Sequence, residues 1–188
     1  MKRITSKINL CEIMESLNLE GSTSREGVQL FSHLVELINN EPRQDIFYLS
    51  IKDAFFASSF GREGIVKVAK HFRKIKGLCL VDIEDEEILE NLLSGIARLE
   101  QPIPYYIDDE LHLVHENKIG VPSKSNTQVY EYTLKRDLTN AHDISEAFEL
   151  KLNNASNKLK SLFEDGFLLR KEEKSSSGGI EYYYYPIR

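Results

Sequence analysis

The sequence predicts an α/β fold, α+β in its overall make-up. A small N-terminal domain with a mixed sheet is followed by a C-terminal helix-turn-helix that carries a β-hairpin. Three observations predict this. Two short apolar runs, over residues 46–51 and 77–82, sit between stretches of helical periodicity, the signature of strands alternating with helices. Residues 138–166 hold two polar-capped helical patterns separated by a tight turn. Two strand-like runs then flank Ser175-Ser176-Ser177-Gly178-Gly179.

Each element has its own reason. Residues 4–11 alternate, with Ile4, Ile8 and Leu10 among polar neighbours, and suit an edge strand. Ser22-Thr23-Ser24-Arg25-Glu26, after Gly21, is a helix start with a hydroxyl cap and a first-turn glutamate. Val28, Phe31, Leu34, Val35 and Ile38 recur at helical spacing and predict its buried face; Asn39-Asn40-Glu41-Pro42 ends it. The nearly continuous apolar run over 46–51 predicts a strand covered on both faces. A short loop over 52–56 leads to Ala57-Ser58-Ser59-Phe60-Gly61 and a helix through about Phe72, with Ile65, Val66, Val68 and Ala69 inward. Residues 77–82 form a second buried strand. The helix from about Asp85 has an acidic first turn, which suits the positive end of its dipole. Gln101-Pro102-Ile103-Pro104 breaks the pattern, and Tyr105-Tyr106-Ile107 pairs with Leu111-His112-Leu113-Val114 across Asp108-Asp109. This domain spans 1–117, residues 118–126 read as a linker, and the second domain covers 127–188.

In the second domain, Val129, Tyr132 and Leu134 give an apolar side to a helix at about 126–136. Thr139 caps the next helix, in which Ile144, Ala147 and Phe148 face in. Residues 149–152 form the turn, and Asn153 caps the helix that follows. There Ala155, Leu159, Leu162 and Phe163 fall on one face, leaving Asn154, Ser156, Asn157, Lys158, Lys160 and Ser161 outward. Amides, hydroxyls and ammonium groups are the side chains that bond base edges and phosphates; an amide such as that of Asn157 can be bidentate to adenine. Gly166 ends the helix in the left-handed position. Arg170, Lys171 and Lys174 lie on or near the hairpin. The four tyrosines 182–185 alternate at the strand period, two inward and two outward.

Leu138-Thr139, Asp143-Ile144, Asn154-Ala155-Ser156-Asn157-Lys158-Leu159, Leu162, Gly166-Phe167-Leu168-Leu169-Arg170 and the glycine-bearing hairpin closely resemble the winged helix-turn-helix superfamily of bacterial transcription regulators, over roughly a third of the chain. The resemblance implies double-stranded DNA as partner, with Asn153, Asn154, Ser156, Asn157, Lys158, Lys160, Lys171 and Lys174 meeting it, and a homodimer on a twofold operator. In the N-terminal domain, the run from Tyr48 through Asp53-Ala54-Phe55-Phe56-Ala57-Ser58-Ser59-Phe60-Gly61 to Glu63 resembles the strand-loop-helix of STAS-like domains, relatives of the anti-sigma factor antagonists. That resemblance implies a protein partner and a regulatory phosphosite at Ser58 or Ser59. The Asp-Ser-Gly pattern of those relatives is missing here, and the plainer reading of the two hydroxyls is a helix N-cap.

Composition bounds these expectations. The chain has 188 residues, 41% hydrophobic and 29% charged, with a net charge of −6. From Asn126 onward there are 9 Lys or Arg against 10 Asp or Glu, so the second domain is near neutral rather than basic. No apolar run reaches the roughly 18–20 residues that span a bilayer. The start lacks a signal peptide, and Cys11 and Cys79 match no metal or redox spacing, which together suit a cytoplasmic protein. Gly61-Arg62-Glu63-Gly64 is too short for a phosphate loop, and no Gly-x-Ser-x-Gly elbow occurs. His112 and His115 fall on opposite faces of a strand, and the acidic run over 82–87 reads as a solvated helix start. The sequence therefore predicts no enzyme, no metal and no cofactor. It supports a DNA-binding regulator and, as the alternative, a protein-interaction module in which the winged domain is a scaffold.

Overall fold

The computed structural model describes residues 7–174 and 178–188. The chain divides into two compact units, one ending at Val121 and the other spanning Pro122–Ile187. Among the described residues no helix is long and apolar enough to cross a membrane.

In the first unit, β1 (Ile8–Asn9), β2 (Ile46–Ser50), β3 (Gly77–Val81), β4 (Pro104–Ile107) and β5 (Glu110–Leu113) form one sheet in chain order. β1 to β4 are parallel, and β5 turns back antiparallel to β4. Asp108 and Asp109 both take positive φ in the two-residue turn between β4 and β5, which matches the sheet's twist. The connections contain α1 (Leu10–Ser16), α2 (Ser24–Asn39), α3 (Ser58–Gly61), a π-helical turn (Arg62–Val66), α4 (Lys67–His71) and α5 (Glu87–Leu99). Phe47, Leu49, Leu78, Leu80 and Tyr105 lie in register on one sheet face and join Leu30, Leu34, Ile38, Phe60, Ile65, Leu92 and Ile96 in a single core. Leu34, Leu49, Leu80 and Leu92 are wholly inaccessible, each contributing about 1.5–3 kcal/mol by burial. β3 is buried along both faces. β2 is so only in part, because Tyr48 on its second face is half-buried.

Several elements differ from the sequence reading. The edge strand shrinks to two residues because Leu10, Ile13 and Met14 form a helical stripe, started by Asn9, whose side chain accepts from Glu12 N. Ile4 lies outside the described residues. The single helix expected over 58–72 is interrupted by the π turn, although Ile65, Val66, Val68 and Ala69 are buried as expected. On α2 the buried stripe is Gly27, Leu30, Leu34 and Ile38, while Val28 is 45% exposed. The face is turned by glycine contacts: a Cβ on Gly27 would stand 2.8 Å from the Phe60 carbonyl oxygen, and one on Gly64 2.6 Å from Leu30 Cδ2. A carbonyl of the main chain cannot swing aside as a flexible side chain would. Gly27→Ala is thus expected to lower stability by about 1–2 kcal/mol, after alanine's helix propensity is set against overpacking; an unchanged urea midpoint would show that the crossing relaxes freely.

The start of α2 is as read. Thr23 Oγ1 accepts from Glu26 N at 3.3 Å, and the Glu26 carboxylate accepts from Thr23 N at 2.8 Å. The N–H of Glu20, then the Thr23 hydroxyl, hold the Glu26 carboxyl down from 4.5 to about 2. A depressed carboxyl stabilises the fold above its unfolded pKa and loses that contribution as pH falls through the folded value. Glu26→Gln is therefore expected to lower Tm at neutral pH. The gap from the parent protein should close between pH 4.5 and about 2; a gap undiminished at the acid end would contradict this.

The second unit contains α6 (Thr127–Leu134), α7 (Ala141–Ala147), α8 (Leu152–Glu164) and the hairpin of β6 (Leu168–Lys174) and β7 (Ile180–Pro186). Its core gathers Val129, Tyr130, Ile144, Ala155, Leu159, Leu162, Leu168, Leu169 and Tyr184, all buried. Ala147 is exposed instead of facing in, and Tyr132 and Leu134 are half-buried. Thr139 is not a cap. Its backbone exchanges two hydrogen bonds with Tyr184, at 2.9 and 2.8 Å, adding a one-residue third strand beside β7. The cap moves to Asn140, which forms a reciprocal box with Asp143. Nor does Asn153 cap α8: the helix starts at Leu152 after Lys151, without a side-chain cap. Gly166, at φ +87, leaves α8 in the left-handed region as expected. The turn residues Ser175, Ser176 and Ser177 lie outside the described residues. Of the four tyrosines only Tyr184 is buried. Tyr182, on the same face, lies beyond the edge of the core, while Tyr183 and Tyr185 are half-buried.

Candidate nucleic-acid interface

α8 has two faces. Ala155, Leu159, Leu162 and Phe163 are buried, and α7 packs against this helix. Opposite them Asn153, Asn157, Lys160 and Glu164 follow one another along a solvent stripe at helical spacing, all exposed. Asn154 and Ser156 flank the stripe and are exposed too. Among the described residues nothing hydrogen-bonds to the side chains of Asn153, Asn154, Ser156 or Asn157. Lys160 approaches Glu164 at 3.9 Å, an exposed pair of little energetic weight.

The flank that faces the start of α6 is engaged. Lys158 is half-buried, and its ammonium donates to the Ser125 carbonyl. Asn126 Nδ2 donates to Ser161 Oγ at 3.1 Å, and that hydroxyl donates to Asp165 Oδ2 at 3.1 Å. Lys158 and Ser161 therefore tie α8 to the segment before α6 and stand apart from the solvent stripe. Lys151, which the sequence places in the turn and not among the DNA contacts, is exposed at the uncapped start of α8. The helix takes up Leu152, which the sequence reading leaves in the turn, and this puts the lysine immediately before it.

The hairpin separates its cations. By register, Lys171 shares a face with Leu169, Tyr183 and Tyr185, and its ammonium lies 5.1 Å from the Tyr185 ring centre. Lys174 shares the other face with Arg170 and Tyr182. Arg170 is half-buried, its guanidinium 4.6 Å from the Phe163 ring of α8, 4.1 Å from the Tyr182 ring and 3.2 Å from Glu172. It fixes the hairpin to α8 instead of pointing outward. Lys174 is consequently the exposed cation on the α8 side. Carboxylates balance the charge: Glu172, Glu173 and Glu181 stand beside Arg170, Lys171 and Lys174. Asn140 Nδ2 donates to Glu181 Oε1 at 2.9 Å, linking the start of α7 to β7.

In the first unit the two candidate serines are half-buried. Neither is an N-cap. Ala57 holds that position without a side-chain bond, and Ser58 Oγ donates instead to Asn91 Oδ1 on α5 at 3.0 Å. The acidic run is used locally. Asp82 pairs with Lys7 at 2.6 Å, Glu84 with Lys52 at 3.3 Å, Asp85 accepts from Glu87 N at 2.9 Å, and Glu86 accepts from Tyr105 OH at 3.2 Å. Burial pushes the Asp82 carboxyl up, but bonds from Lys7 and Ser50 outweigh it and the net shift is downward. A cleft of about 410 Å³ at this end of the sheet contains both lysines, each already paired with a carboxylate. Cys79 is fully buried, which pushes its thiol up and keeps it protonated.

No protein-family model, curated protein or solved structure matches the chain.

Proposed function

We propose that the second unit is a winged helix-turn-helix that reads double-stranded DNA, with α8 in the major groove and the β6–β7 hairpin as the wing. The observation that carries this reading is the unbonded amide stripe of α8, with Asn157 opposite the buried Ala155–Leu159 side. A helix of 13 residues is about 20 Å long and fits a groove about 12 Å wide. Three helices followed by a hairpin, with Thr139 adding a short third strand, support the same reading. Lys151, Lys160 and Lys174 are the exposed cations best disposed to meet phosphates, and the uncapped start of α8 favours an anion. Lys158 and Arg170 act by positioning, and Lys171 lies on the far face of the wing. Two copies would read two half-sites, and the first unit, as a STAS-like domain, would supply the protein contact.

Asn157→Ala is expected to relax discrimination at the contacted base by about 1–3 kcal/mol. Selection from a pool of random duplexes checks this: the parent chain enriches a motif, and the variant enriches the same motif with one position degenerate. A variant that recovers the full motif removes Asn157 from base reading. A second reading, a protein-interaction module, is favoured by one observation: carboxylates equal cations on the hairpin. It requires that no duplex be retained even at low salt.

A further inference from the structure

The loop between α1 and α2 holds a carboxylate with more donors than a helix cap requires. Glu26 Oε1 accepts from Glu20 N at 2.6 Å; Oε2 accepts from Ser22 N and Ser22 Oγ at 3.1 Å and from Thr23 N and Thr23 Oγ1 at 2.8 Å. A capping box accounts for the Thr23 N bond alone. The rest of the loop is wrapped around the same side chain by charge-assisted bonds.

Gly21 sits in the middle of that loop, with φ +77. Its carbonyl accepts from Ala57 N at 2.8 Å, and a Cβ added to it would stand 2.4 Å from the Phe55 carbonyl oxygen. The loop after β2 thus rests directly on the loop that Glu26 gathers. It carries Phe55, which is 80% exposed, and it leads into α3. Its own anchors are the buried side chains of Ala54 and Phe56 on either side.

We propose that Glu26 is a latch: by closing residues 20–23 it also closes residues 54–57 through the Gly21–Ala57 contact, so that the two loops open and shut as one unit above a sheet that stays folded. Loops are the low-stability end of a fold, and the cost of opening them locally is set by the few bonds that hold them. Here the bonds of residues 20–23 converge on one carboxylate, and the second loop joins them through Ala57 N and the Gly21 carbonyl. Opening would bare the start of α3 and the hydroxyl of Ser58, which is otherwise held by Asn91.

Residue-resolved amide hydrogen exchange on the full chain at neutral pH tests the latch. In the parent the amides of Glu20, Ser22, Thr23 and Ala57 are expected to open with one shared free energy, lower than that of Leu49 and Leu80, and in Glu26→Gln all four should exchange roughly tenfold faster or more. Thr23→Val, which removes the hydroxyl that donates to Glu26 and caps α2 but keeps the carboxylate, should accelerate the same four amides to a smaller extent and serves if the first variant fails to fold. An Ala57 amide that keeps its rate while Ser22 and Thr23 accelerate would overturn the coupling. Latch amides that exchange in the parent no faster than those of Leu49 and Leu80 would overturn the local unit.

Discussion

Leu159→Ala is expected to destabilise the second unit by about 2–5 kcal/mol, because truncating a fully buried leucine adds a cavity to the lost transfer energy. Leu159 is inaccessible and central to the stripe that holds α8, between Ala155 and the pair Leu162 and Phe163. A unit confined to Pro122–Ile187 has a small core, so such a loss is a large share of its stability. With a urea dependence of about 1–2 kcal/mol per molar, the midpoint should drop by roughly 1–5 M. Asn157→Ala, on the opposite side of the same helix, should change stability by no more than about 0.5 kcal/mol. The pair of variants separates what holds α8 from what α8 presents. A Leu159→Ala midpoint within about 0.3 M of the parent's would mean the stripe does not anchor the helix.

Losing Lys160 and Lys174 together is expected to weaken binding to any duplex by roughly 50-fold at about 0.1 M salt. Counterion release sets the size of the loss: each phosphate neutralised contributes about 0.9 decades of affinity per decade of salt. Both lysines are exposed, one on the solvent stripe of α8 and one on the α8 side of the hairpin. Lys171→Ala should lower affinity far less, since strand alternation puts that side chain on the other face. Equal losses from Lys171 and Lys174 would contradict the assignment of faces.

How far the sequence reached depended on whether a side chain announces its own role. Thr23 and Glu26 name a helix start because hydroxyl and carboxylate satisfy each other's amides at fixed spacing, and the structure has that box. The strands β2 and β3 and the Asp108-Asp109 turn were legible for similar reasons, apolar runs and a tight positive-φ dipeptide. Gly27 and Gly64 announce nothing, because a glycine's role as a contact point appears only when the opposing element is in place; Val28 therefore reads as buried in the sequence and is exposed in the structure. α1 is hidden in the sequence because Leu10 fits an alternation with Ile8 as well as a helical spacing with Ile13 and Met14. Around α8 the outward and inward residues could be read from periodicity. The engagement of Lys158 with Ser125 and the clamping of Arg170 between Phe163 and Tyr182 could not, since both depend on elements distant in sequence. Thr139 reads as a cap because a hydroxyl before a helix usually is one. Pairing with Tyr184 extended its backbone and passed the cap to Asn140.

The most direct test of the nucleic-acid reading is the affinity of the intact chain for duplex DNA, measured by fluorescence anisotropy across a salt series. With Lys151, Lys160 and Lys174 as the phosphate-facing cations, the logarithm of affinity should fall against the logarithm of salt with a slope of about −3 per chain bound, and Lys160→Ala with Lys174→Ala should flatten it by about 2 per chain. A parent chain that binds no duplex at low salt, or whose slope the double variant leaves unchanged, would contradict the account.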